Sequence, residues 1–332
     1  MKATALLLIC SVCLTVSAGA QRLVTFQGKA QGTYYIVKYL GEDSISLQPD
    51  VESIFREIDR SLSLYLPGSL INRFNKGQQV VMDDHMRTVV KKAQEVSRLT
   101  NGLFDITVKP LVDLWGFGVV RHSKGQPSAA DIRRTLQVVD YRLLTVRSRY
   151  LIKKKSGVEI DCNGIAQGFT SDVVGRFLLS RGIRNFLVDV GGELVASGLN
   201  AQGQPWSVGI ERPSETDSLQ GPEQAILRLK NRAVATSGNY RRFFDEGGTR
   251  FAHTIHPRTG QAVHNNIITV TVTAPDAITA DAYDNALILL GVDEGLTFIA
   301  RHPKLQLGAY YVYKDEDGKI REKYSPGFFA TE

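Results

Sequence analysis

Cysteine is scarce in this sequence. Its 332 residues include three cysteines, and two of them, Cys10 and Cys13, lie in an apolar run near the N-terminus. Neither follows the small residue that a lipoprotein signal places before its cysteine, which argues against a lipid anchor. If that run is removed, Cys162 is alone and no intrachain disulfide can form. A lone cysteine acts either as a nucleophile or as a small buried apolar residue, and we favour the buried role.

Strong charge is also missing. Lys and Arg number 40 against 34 Asp and Glu, a diffuse net charge of +6 with no basic run longer than residues 153–155. A nucleic-acid-binding surface needs clustered basic residues, so the sequence predicts none. The Walker phosphate loop and the glycine fingerprint of dinucleotide-binding domains are absent as well. The hydrophobic content of 43% is that of an ordinary globular chain.

The N-terminus has the pattern of a secretory signal peptide. Lys2 precedes an apolar run over residues 5–16, and the small residues after it end in an A-x-A sequence at Ala20. The run is too short to span a membrane as a helix. We therefore predict that residues 1–20 are a removed signal peptide and that residues 21–332 form a single exported domain.

The stretch from Ala274 to Gly291 carries the clearest chemical signal. Proline and aspartate follow Ala274 where a helix is predicted to start, and Gly291 is a natural end. Asp281, Asp284 and Asn285 are related as i, i+3 and i+4, which brings their side chains onto one face. Clustered carboxylate and amide oxygens suit a hard cation such as Mg²⁺ or Ca²⁺. The alternative is an acid-rich first turn favoured by the helix dipole.

An acidic residue interrupts the apolar stretch at 103–118. Asp105 has apolar neighbours, where a free carboxylate is unfavourable unless something binds it. We interpret Trp115 and Phe117 in the same stretch as core residues.

Residues 159–181 combine a turn with a predicted helix. A strand is predicted to end near Asp161, followed by a tight Asn163-Gly164 turn and the helix. The N–H groups at such a helix start have no partner within the helix and can bind an anion, although many helix starts bind nothing.

The alternation of apolar and polar residues predicts an α+β fold, with short antiparallel strands and helices. One strand is predicted over 28–40, where Gln31-Gly32-Thr33 would either let a ligand approach the backbone or form a bulge. Further strands are predicted at 145–158 (a hairpin), 185–198 (two strands joined at Gly191-Gly192), 206–211, 225–229, 233–236, 267–273 and 305–314. Helices are predicted at 50–62, 83–99, within 126–144, after the turn at 163–164, and from 278.

Two histidines lie three residues apart, at His253 and His256. No cysteine, glutamate or third histidine supports a zinc site, so one histidine acting as a general base beside a metal is the preferred interpretation. The polar segment 236–240 is either a plain loop or a site for phosphate or ribose.

These motifs occur in an order that resembles the FAD:protein FMN transferases of the ApbE family, over nearly all of residues 21–332. The motifs are Gly32-Thr33, the YLPGS of 65–69, the FDIT of 104–107 with Pro110 and the LWGF of 114–117, Asp161 with the GIAQG of 164–168, the VDVGGE of 188–193, the ATSGNY of 235–240, the HTI of 253–255 with the PRTG of 257–260, and the ADA of 280–282 with Gly291.

The resemblance implies an ApbE-like fold of mostly antiparallel sheets packed with helices. It also implies a bacterial, periplasmic enzyme that splits FAD with Mg²⁺, passes the FMN half to a threonine or serine hydroxyl of a partner flavoprotein, and releases AMP. Two alternatives remain open: an FAD pyrophosphatase, in which water replaces the hydroxyl, and a flavin-binding protein without turnover.

Carried over position by position, the resemblance also implies the site residues. His253 would be the catalytic base. The metal would be held by the backbone carbonyl of Ala166 and by the side chains of Asp281, Asp284 and Asn285. Contacts to FAD would fall near Gln31, Tyr65, Asp105, Asn163, Phe169 and Ile255.

The chain departs from the family's usual residues at four of these motifs. His256 stands where Asp is usual, Gln167 where Lys is frequent, Asn285 where Thr is common, and Gln31 where Met is frequent. An Asn carbonyl oxygen can ligate Mg²⁺, so we expect metal binding to survive. We expect these departures to affect turnover more than fold or FAD binding.

Overall fold

The computed structural model describes residues 22–41, 46–119, 125–210, 225–238, 243–246, 249–252 and 254–330, with only the backbone of 243–246 and 249–252. The predicted signal peptide and the predicted base, His253, lie outside these residues. Within the described ranges the helices α1 to α8 are Gln48–Leu62, Leu70–Lys76, Asp84–Leu99, Lys109–Leu114, Ala129–Leu136, Ala166–Ser180, Ala277–Leu290 and Val292–Arg301. The strands β1 to β15 are Arg22–Ala30, Thr33–Gly41, Gln79–Val81, Leu144–Arg147, Tyr150–Lys153, Phe186–Val190, Glu193–Ser197, Trp206–Ile210, Ala225–Leu229, Arg232–Gly238, Phe243–Glu246, Thr249–Ala252, Ile267–Ala274, Gly308–Lys314 and Ile320–Tyr324.

An eight-stranded sheet is the centre of the fold. Its strand order is β1-β2-β6-β7-β10-β13-β14-β15. Every pair of neighbours in it is antiparallel. This arrangement confirms the predicted α+β class with mostly antiparallel sheets packed with helices.

Helices α6 and α7 pack against each other and against the middle of this sheet. The longer helix α6 contacts β6 and β7, and α7 contacts β10 and β13. Buried apolar residues of β10 and β13, such as Ala235, Val270 and Val272, join those of α7 in one core cluster. Val234, which points to the other face of β10, packs instead with residues of the β8–β9 hairpin. The sheet is therefore covered on both faces, and the predicted metal-binding helix lies on one of them.

The first predicted strand is confirmed from Thr33 onwards as β2, but its start is wrong, because residues 28–30 belong to a separate strand, β1, of a hairpin. Strands β1 and β2 are joined by Gln31 and Gly32, whose φ angles are 53° and 77°. Positive φ at both central residues is the geometry of the tight turn that best matches strand twist. The alternation of side chains continues on both sides of this turn, which is why the pattern reads as one strand.

Residues near Asp161 also differ from the prediction. No strand is present between Val158 and Asn163, although helix α6 begins as expected at Ala166. The predicted polar turn at 236–240 also differs, because β10 continues to Gly238. Residues 239–240 are not among those that the structure describes.

Cys162 is buried, as predicted, with 1% of its surface exposed. Burial raises the pKa of its thiol well above the usual range, so the reactive thiolate is strongly disfavoured. Trp115 is also buried, as predicted for a core residue. No helix in the described ranges is long and apolar enough to cross a membrane.

Candidate functional site

Asp281 and Asp284 lie on the buried part of α7. Only 4% of Asp281 and 2% of Asp284 is exposed. The helix begins after Asp276, whose carboxylate accepts a hydrogen bond from the N–H of Thr279 at 3.0 Å. The alternative interpretation was an acid-rich first turn that only the helix dipole stabilises. Such a turn would be exposed to solvent, so the burial of these two residues argues against it.

Burial raises the pKa of both carboxyl groups. Desolvation raises that of Asp281 to about 7, opposed by a hydrogen bond from Gly168 and assisted by the charge of Asp172. The pKa of Asp284 is also raised well above its usual range, first by burial and then by the charges of Asp281 and Glu193. Ionising both groups is therefore unfavourable unless a positive charge comes between them.

The polar contacts of these two carboxylates are few. Oδ2 of Asp281 accepts from the N–H of Gly168 at 2.8 Å, and Oδ1 of Asp284 accepts from Nδ2 of Asn285 at 2.8 Å. No described lysine or arginine forms an ion pair with either group. A buried carboxylate is unfavourable in its ionised form unless it is well hydrogen-bonded, paired or bound to a metal.

This donor set fits a hard cation. Two carboxylates and an amide on one helix supply oxygen ligands, which Mg²⁺ and Ca²⁺ prefer over nitrogen or sulfur. The described residues contain no group of three or more His, Cys, Asp or Glu side chains arranged to hold a metal. A cation here would therefore depend on the neutral oxygens of Asn285 and Ala166 and on water, which is usual for Mg²⁺.

A chain of hydrogen bonds links Gln31 to the carbonyl of Ala166. Nε2 of Gln31 donates to Oγ1 of Thr170 at 3.0 Å, and that hydroxyl donates to the Ala166 carbonyl at 2.7 Å. The β1–β2 turn is thereby attached to the first turn of α6. Gln31, which stands where the family often has Met, thus acts on a predicted metal ligand through Thr170.

The Gly191-Gly192 turn between β6 and β7 meets the same end of α6. A Cβ built on Gly191 would lie 2.7 Å from Nε2 of Gln167 and 2.7 Å from Cγ2 of Thr33. Gly191 has a φ of 72°, so glycine is required there both by the backbone and by these neighbours. The Gly32-Thr33 and Gly191-Gly192 motifs, far apart in sequence, are therefore neighbours at α6.

The Asn163-Gly164 turn lies beside the face of α7 that carries Asn285. A Cβ on Gly164 would lie 3.0 Å from Nδ2 of Asn285 and 3.8 Å from the Phe104 ring. Asn163 itself is exposed, and its N–H donates to Oδ1 of Asp161 at 2.7 Å. The structure thus brings the FDIT motif, this turn and Asn285 together.

Asp105 is buried but its hydrogen bonds are made inside the chain. Its carboxylate accepts from the N–H and hydroxyl of Thr107 at 2.8 and 2.7 Å, and from the N–H of Tyr141 at 2.6 Å. Burial raises its pKa to about 6 despite these bonds. Its side chain therefore holds two loops together, and the predicted contact to FAD near Asp105 stays a prediction.

Three other predicted FAD contacts lie in different surroundings. The ring of Phe169 is 2% exposed and packs with Arg176 above its face and His85 at its edge. Ile255 is 5% exposed in a separate apolar cluster that contains Trp115. Tyr65 is 65% exposed on the turn after α1, so its ring is free to stack on a planar ligand.

His256 accepts hydrogen bonds that close the turn in which it lies. Its Nδ1 accepts from the N–H groups of Arg258 and Thr259 at 3.2 and 3.3 Å. A neutral ring with its proton on Nε2 is required for both bonds. Burial, with the charge of Arg258 as a further cause, lowers the pKa of this ring and favours that neutral form.

The predicted anion site at the start of α6 is largely taken up by the protein itself. The N–H of Ala166 donates to the carbonyl of Cys162 at 2.9 Å, and the N–H of Gly168 donates to Asp281. The interpretation as a ready anion site is therefore wrong for these two donors, since one binds a backbone carbonyl and the other a carboxylate of the chain.

Asp172 was missed in the sequence. It lies on α6 with 6% of its surface exposed, and its carboxylate accepts from the N–H groups of Ala277 and Ile278 at 2.8 and 2.9 Å. Burial raises its pKa to about 6. The sequence signal that could have indicated Asp172 is its position one helical turn after Gly168, because a glycine within a helix indicates close packing against another element.

A cavity of about 280 Å³ lies at the other end of α7. It is lined by Leu290 of α7, by residues at the end of α3, by Arg258, and by α8 residues including Phe298. None of the predicted site residues lines it.

Known proteins resemble this chain over almost its whole length. A family model described as the ApbE family matches residues 31–308. The FAD:protein FMN transferase of Vibrio cholerae is 32% identical over 331 residues, 97% of each chain. That of Haemophilus influenzae is 32% identical over 317 residues, 92% of this chain and 90% of the relative.

Solved structures show the same similarity. The flavin transferase ApbE from Vibrio cholerae superposes with a TM-score of 0.84 at 32% identity, covering 93% of this chain and 98% of that one. The apo form of the flavinyl transferase ApbE from Pseudomonas stutzeri also has a TM-score of 0.84, at 30% identity, covering 94% and 98%.

Proposed function

Because the chain belongs to the ApbE family, we propose that it transfers the FMN half of FAD to a threonine or serine hydroxyl of a partner flavoprotein, with Mg²⁺, and releases AMP. That it is a flavin transferase, with FAD as substrate and a flavoprotein as acceptor, follows from its similarity to curated FAD:protein FMN transferases. The metal, the acceptor hydroxyl and the leaving group are the parts that we propose.

The observation that supports the proposed metal site is the pair of buried carboxylates on α7. Asp281 and Asp284 are nearly inaccessible to water and have no cationic side chain beside them in the described chain. Ala166 and Asn285 supply neutral oxygens within the same region. A divalent cation held by these four residues would lower the pKa of both carboxyl groups and remove the repulsion between them.

The reaction balances with one bond formed and one broken. The acceptor hydroxyl oxygen bonds to the phosphorus of the FMN half, and the bond from that phosphorus to the bridging oxygen breaks. AMP leaves with the bridging oxygen, and the hydroxyl proton passes to a base. When bound, Mg²⁺ would supply charge stabilisation for the phosphate oxygens.

The residues of this chain orient the substrate and accept the proton. We propose His253 as the base, because it occupies the histidine position of the HTI motif that this chain shares with the family. Tyr65 offers an exposed ring for stacking on a flavin or adenine. Gln167 supplies an amide donor at the start of α6 in place of the family's usual lysine.

We further propose that the enzyme acts in the periplasm after removal of residues 1–20. The basis is the positive residue, apolar run and A-x-A pattern at the N-terminus. Its acceptor would then be an exported flavoprotein or the exported part of one.

The test is an incubation of residues 21–332 with FAD and an acceptor domain that carries a target threonine. Parallel samples contain Mg²⁺ or EDTA, and Asp284→Ala serves as the matched inactive control. Chromatography measures AMP and free FMN, and in-gel flavin fluorescence measures FMN bonded to the acceptor.

We expect Mg²⁺-dependent AMP in equal amount to acceptor-bound FMN, and neither product with EDTA. AMP accompanied only by free FMN would show hydrolysis and overturn transfer. FAD that stays bound and intact with acceptor present would show a flavin-binding protein instead. Replacing the target threonine by valine must abolish labelling if the hydroxyl is the nucleophile.

A further inference from the structure

Helices α6 and α7 satisfy each other's first-turn N–H groups. Ile165, which precedes α6, makes no side-chain cap hydrogen bond, and the N–H of Gly168 in the first turn donates to Asp281 of α7. In return, the carboxylate of Asp172 on α6 accepts from Ala277 and Ile278 in the first turn of α7. Each helix therefore carries an aspartate that binds the N-terminal end of the other.

The two helices also approach very closely at one point. A Cβ built on Gly168 would lie 2.2 Å from the carbonyl oxygen of Ala277 and 2.7 Å from Cβ of Asp281. Such distances are impossible for a real side chain, so only glycine permits this approach. The contact places the α6 backbone directly against the residues that carry the site.

These reciprocal hydrogen bonds attach α6 and α7 to each other at two positions. Gly168 and Asp172 are one helical turn apart on α6, and Ala277 and Asp281 are one turn apart on α7. One contact would allow α7 to turn about it. Two contacts a turn apart fix both the rotation of α7 and its shift along α6.

A charged residue is not needed merely to cap a helix. Serine and asparagine cap as well as aspartate does, and they are less unfavourable when buried. α7 already has a local cap in Asp276. Asp172, in contrast, binds the same end of α7 from the neighbouring helix α6.

We propose that Asp172 is a positioning residue for the metal site: by binding the start of α7 it holds Asp281 and Asp284 at the correct distance from the Ala166 carbonyl of α6. The inference rests on the proposed function, because it concerns the same cation. It adds a residue outside the ligand set, and it predicts an effect on metal affinity that a purely structural contact would not have.

The test compares Asp172→Asn with Asp276→Asn by Mn²⁺ binding in the absence of FAD. Both residues bind N–H groups of the first turn of α7, but Asp276 directly precedes α7 in the chain and forms none of the hydrogen bonds to α6 that the structure describes. Mn²⁺ is titrated and free ion is read by electron paramagnetic resonance, and melting temperatures are measured without metal.

For Asp172→Asn we expect the Mn²⁺ dissociation constant to rise by about 10- to 100-fold, the usual effect of losing a group that orients a ligand. For Asp276→Asn we expect a change of less than about threefold, because the attachment to α6 remains. High Mg²⁺ should restore much of the turnover of Asp172→Asn, since the ligands themselves are intact.

Wild-type affinity in a folded Asp172→Asn protein would overturn the inference and leave the proposed function standing. Equal losses of affinity in both variants would also overturn it, since capping alone would explain them. Wild-type protein that binds no Mn²⁺ would overturn the metal site itself, and the inference with it. Should Asp172→Asn fail to fold, Asp172→Ser keeps one acceptor in a smaller side chain and is judged by the same measurement.

Discussion

Asp105 and Asp284 are both buried aspartates, but their hydrogen bonds differ. Asp105 accepts three hydrogen bonds from Thr107 and Tyr141, and it fixes one loop against another. Asp284 accepts one from the amide of Asn285, and its nearest charges are carboxylates. A buried carboxylate that accepts several hydrogen bonds from the chain has a structural role. A buried carboxylate that accepts few hydrogen bonds and lies near other carboxylates is suited to binding a cation.

The comparison predicts that Asp284→Ala mainly affects activity. We expect AMP release to fall by roughly 10²- to 10³-fold, as when a charge-stabilising group is removed from an active site. The metal-free protein should melt no lower than wild type, because the variant also removes repulsion with Asp281. The measurement is AMP by chromatography beside a thermal melt. Activity within tenfold of wild type would contradict the assignment.

Asp105→Ala should have the opposite result. We expect the free energy of unfolding to fall by roughly 2–4 kcal/mol, because two buried N–H groups lose a charged acceptor. Mn²⁺ affinity should stay within about threefold of wild type. Urea unfolding measures the first quantity and metal titration the second. Asp140→Ala is the control: that half-buried residue caps the 3-10 helix Tyr141–Leu143, and its loss should cost only about 1 kcal/mol. A large loss of metal affinity in Asp105→Ala would remove the distinction.

Gly168→Ala tests whether the site depends on the close approach of the two helices. The added methyl group would overlap the Ala277 carbonyl, so α6 and α7 must separate, at a cost of about 1–3 kcal/mol. Metal affinity should fall with stability, since Asp281 moves away. Gly175→Ala, on the same helix, is the control: its nearest atoms are side-chain carbons at 3.2 to 3.4 Å, which can adjust. Urea unfolding and metal titration of both variants decide the point.

His256 extends the comparison to a hydrogen-bond acceptor that is lost when its ring is protonated. Its pKa is lowered in the folded state, so the unfolded state binds more protons as the pH drops below about 6.5, and stability falls there. The ring is half exposed, so solvent screening limits the effect to at most about 1 kcal/mol. His256→Asp keeps an acceptor at lower pH and should flatten this part of the profile. Melting temperatures between pH 5 and 8 measure it, and identical profiles would contradict the role.

The sequence predicted the parts of the site that depend on local spacing. The helix that gives Asp281, Asp284 and Asn285 their i, i+3, i+4 relation is present as α7, while their role as metal ligands stays a prediction. The predicted β6–β7 pair joined at Gly191-Gly192 is present as well. The hairpin at Gln31 was missed, because side chains alternate equally on both sides of it and glutamine is unusual at positive φ.

Contacts between distant residues could not be predicted in this way. Asp172 and Ala277 are 105 positions apart, and no local pattern indicates which helix end a buried aspartate will bind. Asp105 was expected to need a binding partner, and the chain itself supplies Thr107 and the backbone of Tyr141 as partners. The burial of Asp105 was thus readable from its apolar neighbours in the sequence, whereas the identity of its partners depends on the fold.

The burial of Cys162 has a practical consequence. Residues 21–332 contain no other cysteine, and this thiol is inaccessible and held in its unreactive form. A cysteine introduced at an exposed position such as Tyr65 or Leu179 would therefore be the one group that reacts with maleimide or nitroxide reagents in the folded protein. Site-specific fluorescent or spin labels can be attached without first removing a native thiol.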